Sequence, residues 1–194
     1  MSPSEVKELM KGLSVPWWIA GGWAIDLFVG RQTRPHGDCD IVILRKDQIA
    51  VQRHLHGWEL YAADTPGGLR PWSADEFLRQ GIHDIWCRRG CKEPWAFQLM
   101  LAEDLRDEWV FRRNPQIRGQ ISKLGTTDER GIPYLVPEIQ LFYKARPIPS
   151  EKDEADFAIV TSLLGDSAIA WLLTALTQLY PDGHRWIEKL RQTE

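Results

Sequence analysis

One short segment near the start of the chain constrains its fold more than any other. Trp17-Trp18-Ile19-Ala20 is an apolar run, Gly21-Gly22 follows it, and residues 23–29 return to helical spacing. Asp38 and Asp40 then open a run rich in β-branched residues. This order predicts a strand, a glycine turn and a helix, and after a loop a buried strand that begins with two acids.

Length and composition indicate a single globular chain in two parts. With 194 residues, 43% of them hydrophobic and 26% charged, the sequence excludes a disordered protein. Residues 1–135 mix predicted strands and helices, whereas residues 136–194 carry only helical patterns. We therefore predict an α/β domain over 1–135 and a helical C-terminal part over 136–194 packed against it.

Charge and cysteine content limit the cellular environment and the binding partners that can be expected. The net charge is -3, from 24 basic and 27 acidic residues, so binding of nucleic acid by bulk electrostatics is not expected. Three cysteines form no disulfide framework, and no apolar stretch is long enough for a membrane span. The N-terminus is polar and lacks a signal-peptide core, so we expect a soluble cytoplasmic protein with no membrane partner.

The remaining elements complete a mixed sheet of about four to five strands with flanking helices, an α+β fold. Residues 83–89 and 95–101 predict an antiparallel hairpin, and Ser73 is expected to cap a short helix ending at Leu78. Residues 112–131 are polar and predict an irregular connection. From Pro137 onward the pattern is helical.

Asp38 and Asp40 are candidate metal ligands. On a strand, residues two apart point to the same side, and carboxylates so placed are suited to Mg²⁺, which prefers oxygen ligands. Gly21 and Gly22 would let the backbone approach a phosphate closely at the start of a helix. Taken singly, each motif is more often a solvated acid pair or an ordinary turn, but the two together describe a phosphoryl- or nucleotidyl-transfer site.

The same segment resembles a known family, the nucleotidyltransferases of the DNA polymerase β superfamily. Within it, the similar branch contains the aminoglycoside 2''-adenylyltransferases and the small lincosamide nucleotidyltransferases. The similarity is carried by residues 18–26 and 30–41, which hold the Gly-Gly-Trp motif, an Asp three residues later, Arg34-Pro35-His36 and the Asp-x-Asp pair. A weaker similarity covers residues 132–133 and 137–142, followed by Lys152-Asp153 and Asp156-Phe157.

This resemblance implies a polymerase β-like fold, a reaction and a set of roles. Asp38 and Asp40 would hold catalytic Mg²⁺, and Gly21 and Gly22 would pack against the triphosphate of ATP or another NTP. Arg34 and His36 would lie near the phosphates or shape the loop before the metal strand; a surface cation and a loop-packing histidine are equally good interpretations. Asp26 is expected to brace that loop.

One position departs from the family pattern. The third carboxylate of such enzymes, a metal ligand or general base, falls on Gln98 here, and an amide is a poor replacement in either role. Asp84 is the preferred substitute, because its strand is expected to be adjacent to the metal strand, with Glu103 and Asp104 as alternatives. An ordinary acid at a strand edge is the competing interpretation of Asp84.

Three residues of the helix after Pro137 are assigned to the substrate, together with Gln98. Glu138 and Gln140 are predicted to line the acceptor side of the cleft, and Lys144 to reach a phosphate, although a lysine near a helix C-terminus is more often a solvated cation. Arg112 and Arg113, with Arg118, are expected to form a solvated face or local salt bridges. Of the ten tryptophans, most should be core, with Trp72, Trp86 and Trp109 considered as stacking surfaces for a base or sugar.

These inferences predict a Mg²⁺-dependent nucleotidyltransferase that moves a nucleoside monophosphate from an NTP to a hydroxyl of a small polar molecule. By resemblance, the acceptor is an aminoglycoside-like antibiotic. Two alternatives remain open: a catalytically impaired binder of nucleotides or small molecules, because of Gln98, or an enzyme acting on protein or RNA, as in toxin–antitoxin systems. The sequence leaves the oligomeric state open.

Overall fold

A computed structural model describes residues 1–65 and 67–192 and contains seven α-helices over those residues. The first, α1, starts at a capping box, in which Ser2 and Glu5 bond each other's backbone amides. The helices are α1 (Pro3–Leu9), α2 (Gly21–Val29), α3 (Gln48–His54), α4 (Pro137–Lys144), α5 (Glu151–Thr161), α6 (Asp166–Leu179) and α7 (Arg185–Arg191).

Ten strands lie within the same described ranges and form one mixed sheet. They are β1 (Trp17–Ala20), β2 (Asp40–Leu44), β3 (Glu59–Thr65), β4 (Gly68–Pro71), β5 (Asp84–Arg88), β6 (Phe97–Leu105), β7 (Glu108–Val110), β8 (Arg118–Gln120), β9 (Gly125–Thr127) and β10 (Pro133–Leu135). The order is β4-β3-β5-β6-β2-β1-β10-β9, and β7 and β8 extend from the far end of β6. The β1/β10 and β2/β6 pairs are parallel and the others antiparallel.

The sheet is covered on both faces, and β2 shows this best. Ile41 and Ile43 pack into one hydrophobic cluster with residues of α1 and α3, whereas Val42 and Leu44 pack into a second cluster with residues of α4 to α7. A central strand buried on both faces explains its continuous run of β-branched residues. The helices of the C-terminal part therefore share a core with the sheet.

The predicted mixed sheet with flanking helices is confirmed, as is the hairpin, which β5 and β6 form. The sheet is larger than the predicted four to five strands. Residues 112–131, predicted to be irregular, contain β8 and β9 and a short 3-10 helix, Ile121–Lys123. These strands are three residues long and carry glycine, so they offered no periodicity to detect.

The helix predicted from Ser73 to Leu78 is wrong. No helix lies there, because side chains from elsewhere satisfy the backbone: Leu78 N–H donates to Gln48 Oε1 at 2.7 Å, and the Leu78 carbonyl accepts from Arg45 at 3.2 Å.

Trp72 and Trp109 are buried, at 6% and 1% exposure, which favours core packing over stacking on a ligand. Across the described residues, no helix is both long and apolar enough to cross a bilayer.

Candidate functional site

Gly21 and Asp40 meet where β1 ends and α2 begins. The antiparallel register of β1 and β2 pairs Ala20 with Asp40, which places the first residue of β2 beside the first residue of the helix. Gly21 has φ of +66°, and a Cβ there would overlap the Asp40 carboxylate. Only glycine allows both the left-handed backbone and this close approach. In the structure, Gly21 thus packs against a carboxylate of the protein itself.

Gly22 is similarly covered, by the loop that precedes β2. A Cβ at this position would collide with the guanidinium of Arg34 and the ring of His36. Arg34 Nη1 donates to His36 Nδ1 at 3.1 Å, and His36 Nε2 lies 2.5 Å from Asp26 Oδ2. Because arginine only donates, Nδ1 is the acceptor, and Nε2 carries the proton given to Asp26.

Asp26 does brace the loop, as the sequence predicts. It is 5% exposed, and its Oδ1 accepts hydrogen bonds from the Thr33 amide at 2.9 Å and the Thr33 hydroxyl at 2.5 Å. With His36 on its other oxygen, this carboxylate holds both ends of the loop against α2. The loop that carries Arg34 is therefore held in place by hydrogen bonds within the protein.

Lys144 joins this part of the site to the C-terminal helices. Its Nζ lies 2.9 Å from Asp156 Oδ2 and 3.4 Å from Asp153 Oδ1, and the side chain is only 14% exposed. Arg34 Nη2 lies 3.6 Å from the same Asp156 oxygen. Lys144 is thus a largely buried, paired cation, and its interpretation as a solvated one is wrong.

Two cavities open on either side of Asp40. The smaller, about 200 Å³, is bordered by Arg34, His36, Asp38 and Lys152. The larger, about 380 Å³, lies between the sheet and α4 and has apolar as well as charged walls. Ala20, Gly21, Asp40 and Lys144 line both cavities and so form the partition between them.

The two predicted metal ligands differ in their surroundings. Asp38 is exposed and lies in the loop two residues before β2, whereas Asp40 is partly buried at the first position of that strand. Burial, followed by the negative charge of Asp38, raises the pKa of Asp40 to about 6, against the opposing charge of Lys144. No group of three or more His, Cys, Asp or Glu side chains in the described part of the chain is arranged to hold a metal ion. Cys39, between the two acids, is fully buried, as expected of a core residue.

Gln98 occupies the position directly opposite Asp40 on the neighbouring strand. The parallel register of β2 and β6 pairs the two residues, and Gln98 Nε2 donates to Asp84 Oδ1 at 2.8 Å. Asp84 lies on β5, which pairs with β6 and not with β2. The expected adjacency of its strand to the metal strand is therefore wrong, although Asp84 still lines the larger cavity.

The other candidate acids are held by cations. Glu103 accepts from Arg45 Nη2 at 2.6 Å, and Asp104 lies 3.4 Å from Lys46 Nζ. The larger cavity includes Glu103 in its wall, but this carboxylate is already neutralised by a buried guanidinium. Of the two acids, neither is as close to Gln98 in the sheet as Asp84 is.

Of the three predicted substrate residues on α4, two line a cavity and one does not. Gln140 lines the larger cavity, and its Oε1 accepts the Gly21 amide at 2.8 Å, which ties α4 to the start of α2. Glu138 lines neither cavity and is partly buried, and burial raises its pKa. The structure therefore brings Gln140 and Lys144 together with Asp40 but leaves Glu138 apart.

Sequence reasoning assigned no role to Asp153 or Asp156, the two partners of Lys144. Asp153 completes a capping box with Ser150 at the start of α5, and Asp156 is 2% exposed one turn later. Their spacing of three on a helix was the available signal, since it places both on one face. Only the fold shows that this face meets Lys144 and Arg34.

Comparisons with known proteins agree with the resemblance. The family model of aminoglycoside-2''-adenylyltransferases matches residues 4–65, which confirms the similarity expected from the glycine and aspartate motifs. Among curated protein sequences, none matches the chain significantly.

Solved structures share the fold at low identity. The lincomycin-bound lincosamide antibiotic adenylyltransferase LnuA is 18% identical, with a TM-score of 0.57 over 83% of this chain and 95% of that chain. ANT(2'')-Ia in complex with adenylyl-2''-tobramycin is 16% identical, with a TM-score of 0.58 over 90% of this chain and 95% of that chain. A solution structure of ANT(2'')-Ia is 18% identical, with a TM-score of 0.59 over the whole of both chains. The chain thus shares the fold of these structures.

Proposed function

We propose that this chain is a Mg²⁺-dependent nucleotidyltransferase that transfers a nucleoside monophosphate, by family resemblance AMP from ATP, to a hydroxyl of a small polar acceptor. The observation that carries the proposal is the place of Asp40, in the partition between a small polar cavity and a larger, partly apolar one. A group bound there would contact ligands on both sides. Transfer between two substrates requires that arrangement.

The smaller cavity suits the triphosphate. Arg34, Lys144 and Lys152 supply positive charge along its wall, and its lining contains little apolar surface. Phosphate oxygens are well matched by guanidinium and ammonium donors. His36, with Nδ1 accepting from Arg34 and Nε2 bonded to Asp26, acts by fixing the orientation of Arg34.

Asp38 and Asp40 would hold the Mg²⁺. The donor set fits: two carboxylates lie close enough for the charge of one to raise the pKa of the other, and a divalent cation relieves that repulsion. A site with two carboxylates leaves the remaining ligand positions to water and phosphate oxygens, which Mg²⁺ accepts. When bound, the ion neutralises negative charge on the transferred group and orients it.

Within the larger cavity, Asp84 is the candidate general base. In the proposed step the acceptor's hydroxyl oxygen bonds to the α-phosphorus, the bond from that phosphorus to the bridging oxygen breaks, and pyrophosphate leaves. Asp84 takes the proton of the hydroxyl, and Gln98, which donates to Asp84 Oδ1, orients the carboxylate. Gln98 thereby occupies the position where the family has its third carboxylate, and it positions the carboxylate of Asp84 on the neighbouring strand β5.

Two measurements test the proposal. Titration calorimetry of Mg·ATP should give binding to the parent protein and a loss of Mg²⁺-dependent binding in Asp40→Asn, with Asp75→Asn, an exposed acid paired with Arg53, as the matched control. A pyrophosphate-release assay over a panel of hydroxyl-bearing acceptors, with aminoglycosides, lincosamides and anionic sugars among them, should then give turnover with at least one. Nucleotide binding without release for any acceptor would favour the impaired binder, and an Asp40→Asn protein that binds Mg·ATP as the parent does would refute the site.

A further inference from the structure

Three arginines stand together on one wall of the larger cavity. Arg112 and Arg113 follow Phe111 just after β7, and Arg146 lies two residues after the end of α4. All three border the cavity, yet in the described part of the chain none lies within ion-pair distance of a carboxylate, unlike the neighbouring Arg45 and Lys144. The cluster is thus a concentration of unneutralised positive charge facing a cavity.

These cations also act on one another. The Arg113 guanidinium lies over the Phe111 ring, 4.8 Å from its centroid. Burial lowers the pKa of Arg113, and the charges of Arg112 and Arg146 lower it further, so the three groups interact. Like charges held together disfavour each other, and a bound anion would remove that cost.

Two acids of the same cavity, Glu103 and Asp153, are already paired with cations. Arg45 pairs with Glu103 at 2.6 Å, Lys144 lies 3.4 Å from Asp153, and Gln98 donates to Asp84 at 2.8 Å. Asp40 is a proposed metal ligand. The neutral Gln98 amide does not offset the charge of Asp84, so among the described lining residues a polycation such as an aminoglycoside would meet three arginines and, outside the proposed metal site, one acid that is not paired with a cation.

We infer that the acceptor carries an anionic group, a carboxylate or a phosphate, which Arg112, Arg113 and Arg146 bind. Guanidinium groups pair with such planar or tetrahedral anions through two parallel hydrogen bonds. Leu135, Met100 and Tyr143 supply apolar wall between the arginines and the partition, where carbon atoms of the acceptor would lie. The identification of this ligand as the acceptor rests on the proposed function, whereas the anion site itself does not.

The first test measures anion binding without nucleotide. Titration calorimetry with glucose 6-phosphate and galacturonate, against glucose, should give an affinity for at least one anion that exceeds the affinity for glucose by at least about tenfold. That affinity should fall as salt is added, because the arginines are partly exposed. Equal affinity for both anions and for glucose would overturn the inference.

The second test reverses the charge. Arg112→Glu/Arg113→Glu should lose the anion preference and bind tobramycin at least about tenfold more tightly than the parent protein does, whereas Arg118→Glu, outside the cavity wall, should change neither affinity. Circular dichroism confirms that each variant is folded. A double variant with unchanged anion affinity contradicts the inference.

Mg·ATP binding separates the two proposals. If the double variant loses Mg·ATP affinity while the parent binds it, the arginines hold nucleotide phosphates, which overturns the acceptor assignment and leaves the proposed function standing. If the parent fails to bind Mg·ATP but the arginine-dependent anion preference is present, the proposed function fails and the anion site stands.

Discussion

Gly21 lies so close to Asp40 that any side chain at position 21 would overlap the Asp40 carboxylate. The contact joins the two motifs that define the resemblance, the glycine pair and the Asp-x-Asp pair, in one piece of geometry. It also explains why glycine stands at this position without reference to a ligand. The left-handed backbone of Gly21 and the absence of a Cβ leave the space that the Asp40 carboxylate occupies.

Gly21→Ala should therefore separate local strain from loss of the site. Gly30 is the matched control, because it also has positive φ, +79°, but a Cβ added there would meet only open space. Both alanine variants should lose about 1–2 kcal/mol of unfolding free energy from backbone strain. Only Gly21→Ala should also reduce pyrophosphate release, by about 100-fold, because it displaces Asp40. Equal activity in the two variants would contradict this role.

Asp84→Asn tests the general base. The variant should lower kcat by about 10²–10⁴-fold, since an amide does not accept the hydroxyl proton. The Kd for Mg·ATP should stay the same, because Asp84 lies on the larger cavity and not on the smaller one. Asp75→Asn serves as the control, and asparagine tolerates the positive φ of 59° at that position. A kcat equal to that of the control would remove Asp84 from the mechanism.

Arg45→Met should be much more destabilising than Arg53→Met. Arg45 is 7% exposed, pairs with Glu103, and donates to the carbonyls of Leu78, Arg79 and Ile82 at 3.2, 3.0 and 2.9 Å. Its removal leaves a largely buried carboxylate without its cation and the Ile82 carbonyl without the donor from Arg45, at a cost of about 3–5 kcal/mol. Arg53 is 69% exposed, and loss of its pair with Asp75 should cost less than about 1 kcal/mol. Urea unfolding of both variants measures the difference, and similar values would be inconsistent with a buried anchoring role.

Asp153 predicts an acid-dependent contribution to stability. Burial alone would raise the pKa of Asp153, but the hydrogen bonds from Ser150 and the charge of Lys144 outweigh it and hold the pKa below its ordinary value. A pKa lowered by folding adds stability that is complete above the unfolded value, about 3.9, and is lost as the pH falls through the folded value.

Accordingly, the difference in unfolding free energy between the parent and Asp153→Asn should be constant from pH 7 to about pH 5 and shrink below about pH 4. Urea titrations at several pH values measure it. A difference that grows towards low pH would mean that the charged form of Asp153 is not the stabilising one.

The parts of the fold that were predictable from sequence are those with local causes. The apolar run before Gly21 and the β-branched run after Asp40 each determine a strand by their own composition. The capping box at Ser2 determines the start of α1 in the same way. In each case the residues that form the element also contain the signal.

The predictions that were wrong or incomplete concern features with long-range causes. The segment ending at Leu78 is not helical because Gln48 and Arg45, some thirty residues earlier, bind its backbone groups. β9 is stabilised at a glycine, Gly125, over which the Trp18 ring packs with no room for a Cβ. That β6 separates the strand of Asp84 from the strand of Asp40 is a matter of strand order, which no local pattern encodes.

The residues of the candidate site also fall into two groups, those with a local sequence signal and those that only the fold brings together. Asp38, Asp40 and Asp26 were recognisable because motif spacing fixes them. The pairing of Lys144 with Asp153 and Asp156, and the cluster of Arg112, Arg113 and Arg146, depend on how the C-terminal helices pack against the sheet.

The partition formed by Ala20, Gly21, Asp40 and Lys144 has a consequence for how such a protein diversifies. Arg112 and Arg146 border the larger cavity but not the smaller one, and neither belongs to the loop that Asp26 braces. Substitutions at these two positions can therefore change what the larger cavity binds while the residues around Asp40 stay the same.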